Sequence, residues 1–389
     1  MKYRRCHAVA VLPEEQTVFS LESLISGGDG IEYERRIRIY AAHLDAICTL
    51  ELPACMLLLE SSAEEWAPMP EDPERGALVA HLVELGLLML DEEPDDSAVE
   101  SDRHIRNNHW WPLSAIHYRH SRWDGIDSVG EMESNQMLTA QDLVRKLGAP
   151  PPEAPSRQPG AVALPRLPDD AVCMLPAQRV TCRNFDRSRA LSLSLLAEML
   201  QSVLMAQAVV ESGYDARFLK KNVPSGGGLH PLEAYIIARD VEGLAPGIYH
   251  YHAVAHELAR IAAQPADLDG FSQRLLAGQH WFVNAPVMVV LVCRFERNFW
   301  KYRRHVKAYR AVTLDAGHIS QAFYTAATER GLGAFVTAAI NEVEMEQALA
   351  LDPMEQGTLA ACGFGWRAPV MSMAELDPAQ HVWRSAPAA

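Results

Sequence analysis

The sequence predicts an α+β fold in two parts, joined by a proline-rich connector. Segments with apolar residues at helical spacing are interspersed with a few short, nearly continuous apolar runs of strand type. Eight prolines between Gly148 and Pro176 rule out continuous helix or sheet there and favour an extended connector. A chain of 389 residues, 49% hydrophobic, is long enough to bury a large core and more naturally forms two domains than one. The expected organisation is an N-terminal domain over 1–147, a linker over 148–177 and a second domain over 178–389.

The first element, MKYRRCHAVAVLPEEQ, has basic residues and a short apolar run, but Pro13 and two glutamates cut it off. No small-residue cleavage site follows, so it is not read as a signal peptide. ERRIRIYAAHLDAICTLEL then places apolar residues at helical spacing. PERGALVAHLVELGLLMLDEE reads as a helix stopped at Gly86 and running into a short strand. Helices followed by such a strand and an acidic turn resemble a small winged-helix module. The stretch around NNHWWPLSAIHYRHSRWDG gathers three tryptophans with His104, His109, His117 and His120. No two of these histidines stand at i, i+4 with an acidic partner, so packing against the second domain is expected rather than a metal site.

Beyond the linker, SLSLLAEMLQSVLMAQAVVESG reads as an amphipathic helix and PLEAYIIARDV as a strand. GIYHYHAVAHELARI resembles a hairpin, and APVMVVLVCRF has the continuous apolar character of a strand central to a sheet. TLDAGHISQAFYTAATERGLGAFV reads as a long helix ending at Gly331, then a strand.

Charge is placed unevenly. The chain carries a net −15, and residues 1–146 hold 13 Lys and Arg against 27 Asp and Glu. Such a region repels phosphate backbones, which argues against a nucleic-acid partner, and would attract a basic peptide segment. The seven cysteines are scattered without a C-x-x-C pair, which disfavours a zinc site or a disulfide framework and suits a reducing cytoplasm. No window nears eighteen consecutive apolar residues, so no membrane partner is expected.

Three groups of residues carry chemistry. Arg179, Thr181 and Arg183 stand at i, i+2, i+4; in an extended segment they share a face and can converge on one phosphate. Pro224, Ser225, Gly226, Gly227 and Gly228 precede a strand, and three glycines let the backbone approach a flat ring closely. The run lacks the G-x-x-x-x-G-K-[ST] order, and no G-x-G-x-x-G opens a helix after a strand. Triphosphate-binding and dinucleotide-binding folds are therefore disfavoured. Lys301–Tyr302 stands in a basic segment where a tyrosine beside cationic groups can act as a base.

The succession R-x-T-x-R, PSGGGLHPLE, GIYHYH, FERNFWKYRRHVKAYR, LDAGH, RGLGAFV and CGFGWR resembles the flavin-dependent nitroreductase superfamily. Within it, the chain is most similar to the SagB-type (McbC-like) dehydrogenases that mature ribosomally made peptides. The resemblance covers about 178–370 and implies a nitroreductase-like fold, a central mostly antiparallel sheet flanked by helices, with FMN bound between the subunits of a homodimer. It implies that Arg179, Thr181 and Arg183 hold the FMN phosphate and that Pro224 to Gly228 line the ring and ribityl chain. Gly331 and Gly333 would shape the far side, and Arg367 is placed like a second phosphate contact. Lys301–Tyr302 matches the catalytic pair of the azoline oxidases. Two departures stand out: Val180 replaces a common second arginine, and FVTAAINEVE replaces a glycine-containing segment, leaving Thr337, Ala338 and Ala339 to face the flavin N5.

The activity so implied is oxidation of thiazoline or oxazoline rings to thiazole or oxazole, with Tyr302 as base, Lys301 assisting, a precursor peptide as substrate and a cyclodehydratase as companion. Two other readings compete: an NAD(P)H-dependent reductase of dehydroamino acids, nitro compounds or quinones, and a flavin-free scaffold that binds leader peptides.

Overall fold

The structure, a computed structural model, describes residues 1–92, 97–152, 164–165, 177–212 and 216–383. Most of the expected linker, Cys173 included, lies outside these. The chain forms two compact units. The first comprises Met1–Arg122, Arg294–Ala311 and Leu351–Gly357; the second comprises Trp123–Cys293, Val312–Ala350 and Thr358–Ala389.

The first unit holds two three-stranded sheets. In one, Lys2–Arg5 pairs antiparallel with Ala67–Pro68 on one side and Leu88–Leu90 on the other. Helices Leu52–Glu60 and Pro73–Glu84 accompany it. The second helix starts as its sequence dictates: Asp72 accepts from Arg75 N, and Pro73 occupies a first-turn position that needs no donor. The chain then turns at Gly86, with φ +70°, into the strand, matching the helix–glycine–strand expectation.

The segment from Glu34 onward departs from expectation. Ile31–Ala41 is a strand, not a helix, and pairs with Val9–Phe19 over eleven residues in register from Val9↔Ala41 to Phe19↔Ile31. Ile37 and Ile39 alternate with Arg36 and Arg38, a period of two that a helical count obscures. Pairs Arg35–Glu15 and Arg38–Glu14 reinforce the hairpin, one on each face of the ribbon. Val9–Phe19 lies at the edge of its sheet, where Pro13 costs no ladder bond.

Trp110 is fully buried in this unit. Its indole donates to Met354 O at 2.8 Å and stands 4.5 and 4.6 Å from the rings of Phe295 and Phe299, which lie on helix Phe295–Tyr302. The tryptophan–histidine stretch therefore packs on residues from the far half of the sequence.

In the second unit a six-stranded sheet runs in the order Glu257–Arg260, Gly247–His252, Leu232–Ala238, Val287–Arg294, Gln356–Gly365, Gly333–Thr337. Four of its pairings are antiparallel. Val287–Cys293 is buried residue by residue, as its unbroken apolar run requires. The long helix Ala308–Glu329 gives way at Gly331, φ +68°, to the edge strand Gly333–Thr337. One expected helix is shorter than its sequence suggested. Leu193–Val203 is helical, but Ala206–Glu211 is a strand paired with Arg217–Lys221, where Val209 and Val210 suit extended backbone.

Residues 123–147, on the N-terminal side of the connector, belong to this second unit. Asn341 accepts from Ile126 N through Oδ1 at 2.9 Å and donates to Ile126 O at 3.0 Å. Among the described residues no helix is long and apolar enough to cross a membrane.

Candidate functional site

Between strands Arg217–Lys221 and Leu232–Ala238 the chain makes one 3-10 turn at Gly226–Gly228. Gly227 and Gly228 have φ of +63° and +69°, which only glycine adopts freely. A Cβ built on Gly228 would meet nothing within 4 Å, so conformation rather than crowding demands glycine, and the backbone faces open space. Pro224 and Gly227 are exposed, while Ser225, Gly226 and Gly228 are half-buried.

A carboxylate fastens this turn. Asp315, 4% exposed on helix Ala308–Glu329, accepts from Ser225 Oγ at 2.5 Å and from Gly226 N at 2.9 Å. Ser225 Oγ in turn accepts from His230 N at 2.9 Å. In the sequence Asp315 stands within the LDAGH motif, where no spacing ties it to Ser225. The available signal was an acid lying among Val312, Ala316 and Ile319 on a helix face that buries them, where a carboxylate requires donors.

Arg179 and Thr181 meet at one aromatic ring. The Arg179 guanidinium stands 5.3 Å from the Tyr324 ring centroid, and Thr181 Oγ1 lies 3.0 Å from Tyr324 OH. The segment is extended, because Thr181 bridges Ala334 in parallel and Cys182 N donates to Ala334 O at 2.8 Å. Close backbone approach follows: a Cβ on Gly333 would stand 2.5 Å from Cys182 Sγ. At Gly331 the space is open.

The Arg367 guanidinium and the Arg183 backbone N–H meet Glu375, while the Arg183 guanidinium is directed elsewhere. This carboxylate accepts from Arg183 N at 2.6 Å, Asn184 Nδ2 at 2.8 Å, Arg367 Nη1 at 2.6 Å and Trp383 Nε1 at 2.7 Å. Arg367 Nη2 also donates to Val180 O at 2.8 Å. Burial pushes the Glu375 carboxyl upward, but these donors together outweigh it and hold it below the usual range. Nothing in the motif order pointed to Glu375, which lies beyond CGFGWR.

Asp315 and Tyr324 are nine residues apart on one helix. At 3.6 residues per turn that is two and a half turns, so the glycine turn and the Arg179–Thr181 pair address opposite sides of the helix. Lys301 and Tyr302 end helix Phe295–Tyr302 in the first unit, with Lys301 Nζ 5.6 Å from the Tyr302 ring centroid, within cation–π range. Ala339 N donates to Thr337 Oγ1 at 3.1 Å, which pins the turn after the edge strand.

Residues 177–366, which contain the sheet, the glycine turn and Arg179, Thr181 and Tyr324, match the nitroreductase family. The chain carries a nitroreductase-family domain. Within the superfamily its likeness is to the SagB-type (McbC-like) dehydrogenases. It is 30% identical over 178 residues to a trifolitoxin-processing protein, TfxB, of Rhizobium leguminosarum bv. trifolii, covering 44% of this chain and 46% of that protein. A Methanocaldococcus jannaschii protein named for the nitroreductases is 32% identical over 130 residues, 33% of this chain and 63% of that one. The chain thus spans between about half and two thirds of these relatives. In fold, the nitroreductase domain and its flanks are similar to a chain of the E. coli microcin synthetase McbBCD complex solved with truncated pro-MccB17. That match has a TM-score of 0.50 at 19% identity and covers 71% of this chain and 98% of that one.

Proposed function

We propose that the protein is an FMN-dependent dehydrogenase that oxidises thiazoline or oxazoline rings in a ribosomally made peptide to thiazole or oxazole. The observation that carries the reading is the glycine turn locked by buried Asp315, an open backbone surface inside a nitroreductase-family domain. The residues present suit a flavin mononucleotide. Gly226–Gly228 would lie along its flat ring, and Arg179 with Thr181 would meet its phosphate. Because these two groups address opposite sides of one helix, a homodimer would complete each site with the glycine turn of one subunit and the arginine segment of the other.

When bound, FMN supplies the two-electron acceptor. The chain's own task is then proton removal and orientation. Tyr302 would take the ring proton, with Lys301, close to its ring, assisting. The peptide reading draws on the names of the relatives, one a toxin-processing protein and one a chain of a microcin synthetase, and so implies a cyclodehydratase that supplies the azoline. The first unit, with its helix pair and small sheet, would serve as a winged-helix-like arm.

The test is direct. The purified protein should be yellow, release FMN, and remove two hydrogens per ring from an azoline-containing peptide, read by mass spectrometry. Tyr302→Phe should retain flavin while turnover falls by roughly 10²–10⁴-fold; wild-type turnover in that variant would remove Tyr302 from the mechanism. Rapid anaerobic bleaching by NAD(P)H, without azoline oxidation, would favour the reductase reading instead.

A further inference from the structure

The first unit contains a basic segment of which the flavin chemistry proposed above uses only Lys301 and Tyr302. Residues 294–310 carry seven Lys and Arg against one acid, Glu296, in a chain of net −15. Residues 1–122 of the same unit hold 11 Lys and Arg against 22 Asp and Glu. This inversion of sign is local, and two of the seven cations, Arg297 and Arg303, line a cavity. Asn107, Asn108, His109, Arg297, Trp300 and Arg303 line a space of about 360 Å³, with Glu296 also at its wall. Two guanidinium groups, two carboxamides, an imidazole, an indole and one carboxylate therefore line one opening.

One wall residue of the cavity, His109, and Arg304, next to the wall residue Arg303, are held in an unusual conformation. His109 has φ +55° and Arg304 φ +40°, both in the left-handed region that non-glycine residues enter at a cost. The two are tied to each other, with Arg304 N donating to His109 O at 2.7 Å. Loop 107–109 and the turn after helix Phe295–Tyr302 are thus fixed relative to each other, which makes the cavity preformed. Burial, and then Arg303 and Arg304, push the His109 imidazole toward its neutral form, and burial and then Arg294 lower Arg297.

We infer that this cavity binds the carboxylates of an acidic peptide segment. Arginine forks match carboxylates in pairs, carboxamides add donors, and the half-exposed Trp300 offers a flat apolar wall for the methylene stems of acidic side chains. The surroundings choose between anions. A long nucleic acid would carry its charge from this small patch across the acidic remainder of the unit, whereas a short acidic segment need not. The choice of a peptide as occupant rests on the peptide reading above, but the site requires no flavin.

The test uses the full chain and a fluorescein-labelled short peptide amide alternating glycine and glutamate, followed by fluorescence anisotropy at low and high salt. The glutamate peptide should bind roughly tenfold or more tightly than its glutamine counterpart, and the difference should shrink with salt. Arg303→Glu should lose that preference, Arg303→Lys should restore part of it, and Arg297→Gln should weaken binding. Arg303 is exposed, so its variants test the site without disturbing a core, and circular dichroism checks that they fold. Equal binding of the glutamine peptide would overturn the inference. So would indifference to Arg303→Glu, or tighter binding of a single-stranded oligonucleotide of equal charge. Because the assay reads no flavin and no turnover, its failure leaves the dehydrogenase reading intact, and a colourless protein leaves this site intact.

Discussion

Asp315→Ala removes the acceptor on which the glycine turn depends. The carboxylate receives two hydrogen bonds, from Ser225 Oγ and Gly226 N, and bonds to a charged group contribute about 1.5–3 kcal/mol each. Ser225 and Gly226 are half-buried, so water compensates part of the loss, and a net local cost of about 2–3 kcal/mol is expected. At about 1.4 kcal/mol per factor of ten, the turn should open roughly 30- to 150-fold more often. Hydrogen exchange of a peptide covering residues 222–231 reads this directly. The amides of Gly226, Gly228 and His230 are bonded to Asp315 Oδ1, Ser225 O and Ser225 Oγ, and they should lose protection by about that factor. Asp315→Asn keeps one acceptor oxygen and should cost less than about tenfold. Exchange in strand Val287–Arg294 should be unchanged. If Asp315→Ala leaves 222–231 as protected as wild type, the carboxylate does not hold the turn and the account of the site fails.

Two further outcomes follow from other contacts. Gly333→Ala would press a Cβ to 2.5 Å from Cys182 Sγ, so it should destabilise by about 1–3 kcal/mol, seen as a lower thermal midpoint, and Cys182→Gly in the same chain should restore part of the loss. Glu375 has a folded-state pKa below its unfolded value, so its contribution is present above the ordinary carboxylate pKa, near about 4.3, and is lost as pH falls through the lower folded value. Trp383 should therefore loosen on acidification below about pH 4, read by its fluorescence in a chain with the other tryptophans replaced. Glu375→Gln should already be loose at pH 7.

Much of the second unit was legible because its elements are locally self-consistent. Val287–Cys293 reads as a central strand from composition alone, and the long helix stops where Gly331 permits a left-handed turn. Two segments misled. Ala206–Glu211 is too short to separate a period of two from one of 3.6, and the alternation of Ile31–Ala41 is broken at Arg35 and Tyr40; each becomes a strand because a partner strand, Arg217–Lys221 or Val9–Phe19, completes its backbone bonds.

By itself, the sequence determined the local requirements of the site: three glycines that allow positive φ at Gly227 and Gly228, the R-x-T-x-R spacing, and a basic segment at 294–310. Tertiary structure alone decided which groups meet. It brought Asp315, ninety residues away, onto Ser225, gathered the Arg183 backbone N–H and the Arg367 guanidinium on Glu375, and placed Arg179 and Thr181 on Tyr324. Backbone preference is a local property of a residue and its neighbours. A buried carboxylate's partners are chosen by whichever donors the packed core leaves within about 3 Å, and no spacing along the chain records that distance.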